Sequence, residues 1–259
     1  LAALWAGWRS DVPVLVEIHG AASSALDSYT ARCAAAVVAD SFALRADLLA
    51  RGVAEAAISV VHPAIDLPRQ AAGPWPSYLS CRGAPLIACV APFDQREGLQ
   101  LLLAAMAPLL RVHPALRLLL AGAGRTPAHL TAAAALYGEA VVFTGQPDRD
   151  SLAAIYAAAD IVIFPALPAR TLAAARKPLD AIAHGALVLA SDTSAHRELI
   201  DHGHNGLLFE AGSVESLVEA VLALLADPSC MQPLRERARS FAKVERSWEA
   251  AARSYGPVY

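Results

Sequence analysis

Lysine is almost missing from this chain: of its 21 basic residues 19 are arginine, and only Lys177 and Lys243 are lysines. Cysteine is sparse as well. Cys33, Cys81, Cys89 and Cys230 are scattered with no C-x-x-C pair, which argues against a zinc site or a disulfide scaffold and fits a reducing compartment. No uncharged run much exceeds a dozen residues, so neither a transmembrane helix nor a signal-peptide core is expected. There is no G-x-G-x-x-G after a strand-like run, no G-x-x-x-x-G-K-[ST] and no G-x-S-x-G. The dinucleotide fingerprint, the P-loop and the hydrolase elbow are thereby set aside. A net charge of −3 offers nothing to a nucleic acid. Charged residues are only 17% of the chain against 56% hydrophobic ones, which excludes intrinsic disorder.

What is abundant is alanine, at 59 of 259 residues, so a single alanine carries little information. Short apolar runs alternate with alanine-rich helical stretches, the signature of a parallel sheet covered by helices. The expected strands are Val14–Ile18, Ala36–Ala39, Ile58–Val61, Leu86–Val90, Leu116–Ala121, Val141–Thr144, Ile161–Phe164, Leu187–Ala190 and Gly206–Phe209. Helical periodicity marks Leu99–Leu110, Leu152–Ala159 (capped by Asp150 or Ser151), Pro178–His184 and Val214–Leu225. The stretch Asp66–Pro85 holds four of the 17 prolines and breaks the alternation, so it reads as a linker. The expected division is a partial N-terminal piece, 1–66, a linker, 67–85, a complete Rossmann-like unit, 86–242, and a terminal helix, 243–259.

Four clusters invite chemistry, each with a plainer alternative. The strand-turn-helix segment Leu187–Ile200 offers amides around Thr193, Ser194, Ala195 and His196 as an anion site, or an ordinary capped turn. Arg170, Arg176 and Lys177 precede the helix Pro178–His184, with Asp180 one turn in. They suit a diphosphate and a ribose hydroxyl, or form a solvated basic loop. Asp148-Arg-Asp150 has a metal-holding D-x-D pattern, with helix capping the better reading. His202 and His204 lie in a Gly/Asn turn, better read as solvated than as metal-binding.

Taken in order, these segments resemble family 4 glycosyltransferases. Val60-Val-His-Pro-Ala-Ile-Asp66 is similar to the strand end that closes their N-terminal domain, and Glu97-Gly98 with the following helix to their K-G turn. Val141–Gly145, Leu152–Tyr156 and Ala159–Pro165 resemble V-x-F-x-G, L-x-x-x-Y and A-D-V-x-V-x-P. Lys177–Gly185, Ala190-Ser-Asp192 and His196–Ile200 resemble the donor-site block. Phe93, Lys177-Pro-Leu179, Ser191–Leu199 and the ending Gly256-Pro-Val-Tyr259 look closest to the exosortase-associated branch linked to exopolysaccharide assembly.

The resemblance implies an α/β GT-B fold and retaining transfer from a nucleotide-diphosphate sugar, with no metal and no cofactor beyond that co-substrate. It implies that Lys177 and the Thr193–His196 amides hold the diphosphate, that Asp180 replaces the ribose-binding glutamate, and that His19 faces the transferred sugar. His19 and Asp180 are therefore the expected catalytic residues. Arg170, Arg176, Lys177, Asp180, Thr193, Ser194, Ala195, His196 and Glu198 are the expected donor contacts. The expected partners are the donor and a glycan or lipid-linked acceptor, in the cytoplasm or at the inner membrane face as a peripheral protein. The pattern departs at Leu172, where the first glutamate of E-x7-E would fall, and at Pro92 and Glu97, where the broader family has a phosphate-binding Arg and Lys. The Gly-Gly turn is Ser194-Ala195, and the glycine-rich first loop is absent. A rival expectation is a degraded, non-catalytic nucleotide-sugar-binding or partner-binding module.

Overall fold

The computed structural model describes residues 2–19, 25–68, 83–94, 97–124, 128–167 and 176–258. Arg170, Leu172 and most of the expected linker lie outside the described residues.

Two parallel sheets organise the chain. The first has strands β1 (Leu15–Ile18), β2 (Ala36–Ala39) and β3 (Ile58–Val60) in the order β1-β2-β3. Leu15 pairs with Ala36 and Val37 with Ile58. Helices α1 (Ala2–Ser10), α2 (Ala25–Cys33) and α3 (Phe42–Ala50) accompany it. Val37, Ala39, Leu44, Leu48, Val53 and Ile58 form its small core. Ser41 starts α3: its backbone is extended and its hydroxyl accepts the Leu44 N–H.

The second sheet contains β4 (Leu86–Val90), β5 (Arg117–Ala121), β6 (Val141–Gly145), β7 (Ile161–Phe164), β8 (Val188–Ser191) and β9 (Leu207–Phe209). Their order is β6-β5-β4-β7-β8-β9, all parallel. Every residue of β7 and β8 is buried, as strands covered on both faces should be. On one face lie α4 (Leu99–Val112) and α9 (Val214–Ala226); on the other, α6 (Arg149–Ala158), α7 (Arg176–Ala183) and α10 (Met231–Glu245). Among the described residues the remaining α-helices are α5 (Ala128–Ala135), the single turn α8 (Ser194–Arg197) and α11 (Trp248–Tyr255).

Chain order reverses between β4 and β7, so the carboxyl ends of these two strands flank the switch point where open α/β sheets bind ligands. Two glycines allow the loops there to pack closely. A Cβ on Gly98 (φ +74°) would sit 1.9 Å from the Pro165 carbonyl oxygen, and one on Gly122 would sit 1.8 Å from that of Ala91.

All nine expected strands are present, within one or two residues at their ends. Two helix starts differ. α6 begins at Arg149 because Asp148, rather than Asp150 or Ser151, accepts the Ser151 N–H. α7 already includes Arg176 and Lys177, so these cations ride on its first turn instead of preceding it. Among the described residues no helix is long and apolar enough to cross a membrane.

Candidate functional site

α7 supplies one wall of an open pocket. An open space of about 1540 Å³ is lined by Arg176, Lys177 and Asp180 of α7, by His184 just beyond its end, by Pro147–Asp150 at the start of α6, by Ala64–Pro68, and by Lys243, Ser247, Trp248 and Glu249. Arg176, Lys177 and Asp180 are thus brought together. Trp248 and the 64–68 segment were not expected there, since their proximity depends on long-range packing.

Lys177 does not enter the pocket as a bare cation. Its Nζ lies 3.1 Å from Glu97 Oε2, with the lysine side chain 41% exposed and the glutamate 22%. Glu97 is held there by the Gly98 turn pressed against Pro165. Behind the pair, burial pushes the Cys89 thiol up to about 12, with the Glu97 charge adding to the effect. Cys89 is therefore a packing residue, not a nucleophile.

Asp180 is half-buried. Burial raises its carboxyl above the ordinary aspartate value, against the lowering pull of His184 and Arg149. His184 Nδ1 bonds the Asp180 carbonyl at 2.8 Å and lies 3.5 Å from its carboxylate. Tyr156 packs on His184 at 5.4 Å between ring centroids, and its phenol is pushed upward by burial and then by the Asp180 charge. A carboxylate backed by apolar packing and aimed at a pocket is a suitable acceptor for sugar hydroxyls.

Thr193 caps α8, its hydroxyl accepting the His196 N–H at 3.3 Å. Of the four amides expected at an anion, that of His196 is consequently engaged. The imidazole of His196 is buried and turned inward, with Nδ1 2.7 Å from the Ser191 carbonyl. Since a carbonyl only accepts, Nδ1 carries a proton, and burial holds the ring pKa below the ordinary value. Ser194 and Ala195 complete the same turn, and Ala195 lines a second, small cavity with Asp40, Ser41, His62, Glu198 and Arg246. Leu179 lines both spaces, so they are neighbours.

Glu198, expected on the donor, is occupied elsewhere. Its two carboxylate oxygens accept the N–H groups of Phe42 and Ala43 at 2.9 and 2.8 Å, across the junction with the first sheet. His19 stands at the end of β1, exposed, with Nε2 3.7 Å from Glu17 and Nδ1 3.9 Å from the buried Asp40. It shares neither space with Asp180. Arg197 clasps Asp192 and holds its carboxyl below the usual range. No group of three or more metal-ligating side chains occurs among the described residues.

The strand order and the two parallel sheets define a two-sheet α/β architecture of the GT-B type. Solved structures share it. Anabaena HepE, determined with UDP and glucose, matches with a TM-score of 0.83 at 18% identity, over 98% of this chain and 73% of that one. The sucrose-phosphate synthase of Thermosynechococcus elongatus matches at 0.78 and 24% identity, over 99% and 70%. The family described as glycosyl transferases group 1 matches residues 84–227, and the chain belongs to it. A GDP-mannose-dependent monoacylated α-(1-6)-phosphatidylinositol monomannoside mannosyltransferase from Corynebacterium glutamicum is 30% identical over 172 residues, 64% of this chain and 44% of that enzyme. The lipopolysaccharide core biosynthesis mannosyltransferase LpcC of Rhizobium leguminosarum bv. viciae is 29% identical over 183 residues, 68% and 51% respectively. The chain therefore spans about half the length of these curated relatives.

Proposed function

We propose that this chain is the donor-binding part of a retaining glycosyltransferase that takes a hexosyl group from a nucleotide-diphosphate sugar to a glycan or lipid-linked acceptor of the cell surface. The observation that carries the reading is the α7 pocket, in which Lys177 and the half-buried Asp180 share one wall one turn apart. Lys177, Arg176 and the turn at Thr193–Ala195 supply the phosphate contacts, the His196 amide being taken by the Thr193 hydroxyl, and Asp180 accepts ribose hydroxyls. In this reading residues 1–66 form the acceptor side, with His19 toward the sugar, residues 86–242 the donor side, and 243–259 the returning helix. The transfer in this reading is metal-independent, which the use of Asp148 of the D-x-D pattern as the cap of α6 supports. The relatives that act on phosphatidylinositol mannosides and on lipopolysaccharide core support a surface-glycan role, and an exopolysaccharide product belongs to the same proposal.

Calorimetry against UDP, GDP and ADP, with and without EDTA, tests it. Binding of at least one without added metal is expected; binding by none, or only with Mg²⁺ or Mn²⁺, would reject it. A second reading, a nucleotide-sugar-binding module without turnover, draws on the Glu97 counter-ion, which offsets the lysine charge a departing diphosphate would use. This chain alone is expected to bind donor without acceptor-dependent turnover; nucleoside diphosphate release that rises on adding membrane lipid extract would reject the module and show that residues 1–66 suffice as the acceptor side.

A further inference from the structure

We propose that Glu198 is a positioning residue, a latch that holds the carboxyl edges of the two sheets together and sets where α8 stands. Phe42 and Ala43 are the first two residues of α3, a helix of nine residues whose initial N–H groups have no partner within the helix. Ser41 satisfies the third donor, on Leu44, at 3.2 Å. The first two are satisfied from the other sheet, one by each oxygen of Glu198, from 155 and 156 residues away. A carboxylate at a helix N-terminus is favoured by the helix dipole as well as by the bonds themselves.

The main chain of Glu198 is tied down independently. Its carbonyl accepts from Arg246 Nη2 at 2.9 Å, and the Arg246 carbonyl in turn accepts the Ile65 N–H at 2.9 Å. The first sheet, the chain leaving it, the end of α10 and the second sheet therefore converge on one residue. That residue immediately follows α8, which consists of a single turn beginning at the carboxyl end of β8. Separating the sheets leaves two helix amides and one carboxylate to water, an exchange a surface junction tolerates, so the latch is reversible. When it closes, it fixes the far end of the turn whose near end is Thr193. Donor occupancy and closure are thereby coupled. This second half rests on the donor reading above; the latch does not.

The test is an interdomain distance. Spin labels are placed on the exposed Cys33 of α2 and on a cysteine introduced at the exposed Glu219 of α9. Cys81 and Cys230 are replaced by serine, and Cys89 is buried. The unsubstituted latch is expected to give one narrow distance distribution, narrower still with saturating nucleotide. Glu198→Ala should lose the narrow peak to longer distances, saturating nucleotide should restore it only in part, and, because the coupling is reciprocal, the nucleotide Kd should rise in the same variant and in Phe42→Pro. Glu198→Gln, which keeps one acceptor, should fall between. Phe42→Pro attacks the same contact from the opposite side: it removes one donor at a position where proline suits a helix start, and Ser41 is already extended (φ −156°, ψ 156°) as a pre-proline residue should be. It should also broaden the distribution, with Glu198 intact. Circular dichroism establishes that each variant is folded. An unchanged distribution in folded Glu198→Ala and Phe42→Pro overturns the latch. Lost nucleotide affinity with the distribution intact overturns it too, and makes Glu198 a donor ligand. Failure of the parent chain to bind any nucleotide would strike the donor reading alone, leaving the distances to decide the latch.

Discussion

Lys177 meets its counter-ion before any ligand arrives, for Glu97 Oε2 stands 3.1 Å from its Nζ. The two residues lie 80 positions apart and are joined only because the chain reverses at β4 and β7. A diphosphate arriving at Lys177 would have to compete with that carboxylate. The pair is partly exposed and solvent-screened, worth up to about 1 kcal/mol, or roughly fivefold in an equilibrium. Glu97→Gln is expected to tighten nucleoside diphosphate binding by about that factor. Lys177→Ala should weaken it by roughly ten- to a hundredfold, the range of a charged hydrogen bond. Nucleoside affinity should stay put in both variants. Calorimetry at two salt concentrations checks this; weaker binding in Glu97→Gln would mean that the glutamate orients the lysine instead of competing for it.

Asp180 gives the protein a pH signature of defined sign. Its native pKa is raised, mainly by burial, so above the ordinary aspartate value the native state holds more of this proton than the unfolded chain. Stability should then fall as pH rises from about 4, the unfolded value, through the raised native value. Asp180→Asn removes the penalised charge. It should flatten that part of the stability profile and raise the neutral-pH denaturation midpoint, while weakening nucleotide binding. Urea titrations between pH 4 and 7 measure the slope. A slope unchanged in Asp180→Asn would place the titration on another group.

Most of the architecture was legible because the strands of a parallel sheet covered on both faces are continuous apolar runs. Ile161–Phe164 and Leu86–Val90 could be bounded to the residue. The helices α2, α3, α5 and α10 escaped notice: α2 is mostly polar, and α5 is largely alanine with almost no amphipathic contrast. Within the site, Lys177 and Asp180 were legible because they sit one turn apart on a single helix. The engagement of Glu198 with Phe42 and Ala43 was not, since it depends on how two sheets dock. Arg246 and Trp248 went unnoticed for the same reason, as neither carries a local pattern.

Gly98 should be intolerant of any side chain. Its φ of +74° costs an L-residue about 1–2 kcal/mol, and an added Cβ would collide with the Pro165 carbonyl at 1.9 Å. Gly98→Ala must therefore push apart the turns following β4 and β7, carrying Glu97 away from Lys177. The expected result is a Tm loss of more than about 4 °C, accompanied by loss of the effect of Glu97→Gln on diphosphate affinity. The double variant in a thermodynamic cycle measures the second part. Full coupling between positions 97 and 177 in Gly98→Ala would show that the turn does not place the glutamate.

Asp148 separates a cap from a metal ligand. Its side chain accepts the Ser151 N–H at 2.8 Å at the first turn of α6, and that bond holds its carboxyl below the ordinary value. The stabilisation belongs to the ionised form, so it is present above about pH 4, the unfolded value, and is lost as pH falls through the depressed native one. Asparagine caps a helix about as well as aspartate, and alanine does not. Asp148→Ala should consequently lower the Tm by a few degrees at pH 7, with the deficit fading in acid, whereas Asp148→Asn should stay near the parent. A divalent cation held by Asp148 and Asp150 would give another order: Asn, a poorer ligand for a hard cation than a carboxylate, would resemble Ala in every metal-dependent measurement. Nucleotide binding is expected to survive EDTA and to be equal in the parent, Asp148→Asn and Asp148→Ala. Calorimetry with EDTA, Mg²⁺ and Mn²⁺ in turn decides it. Binding that needs the cation and is lost in Asp148→Asn would return the D-x-D segment to the donor site as a metal centre.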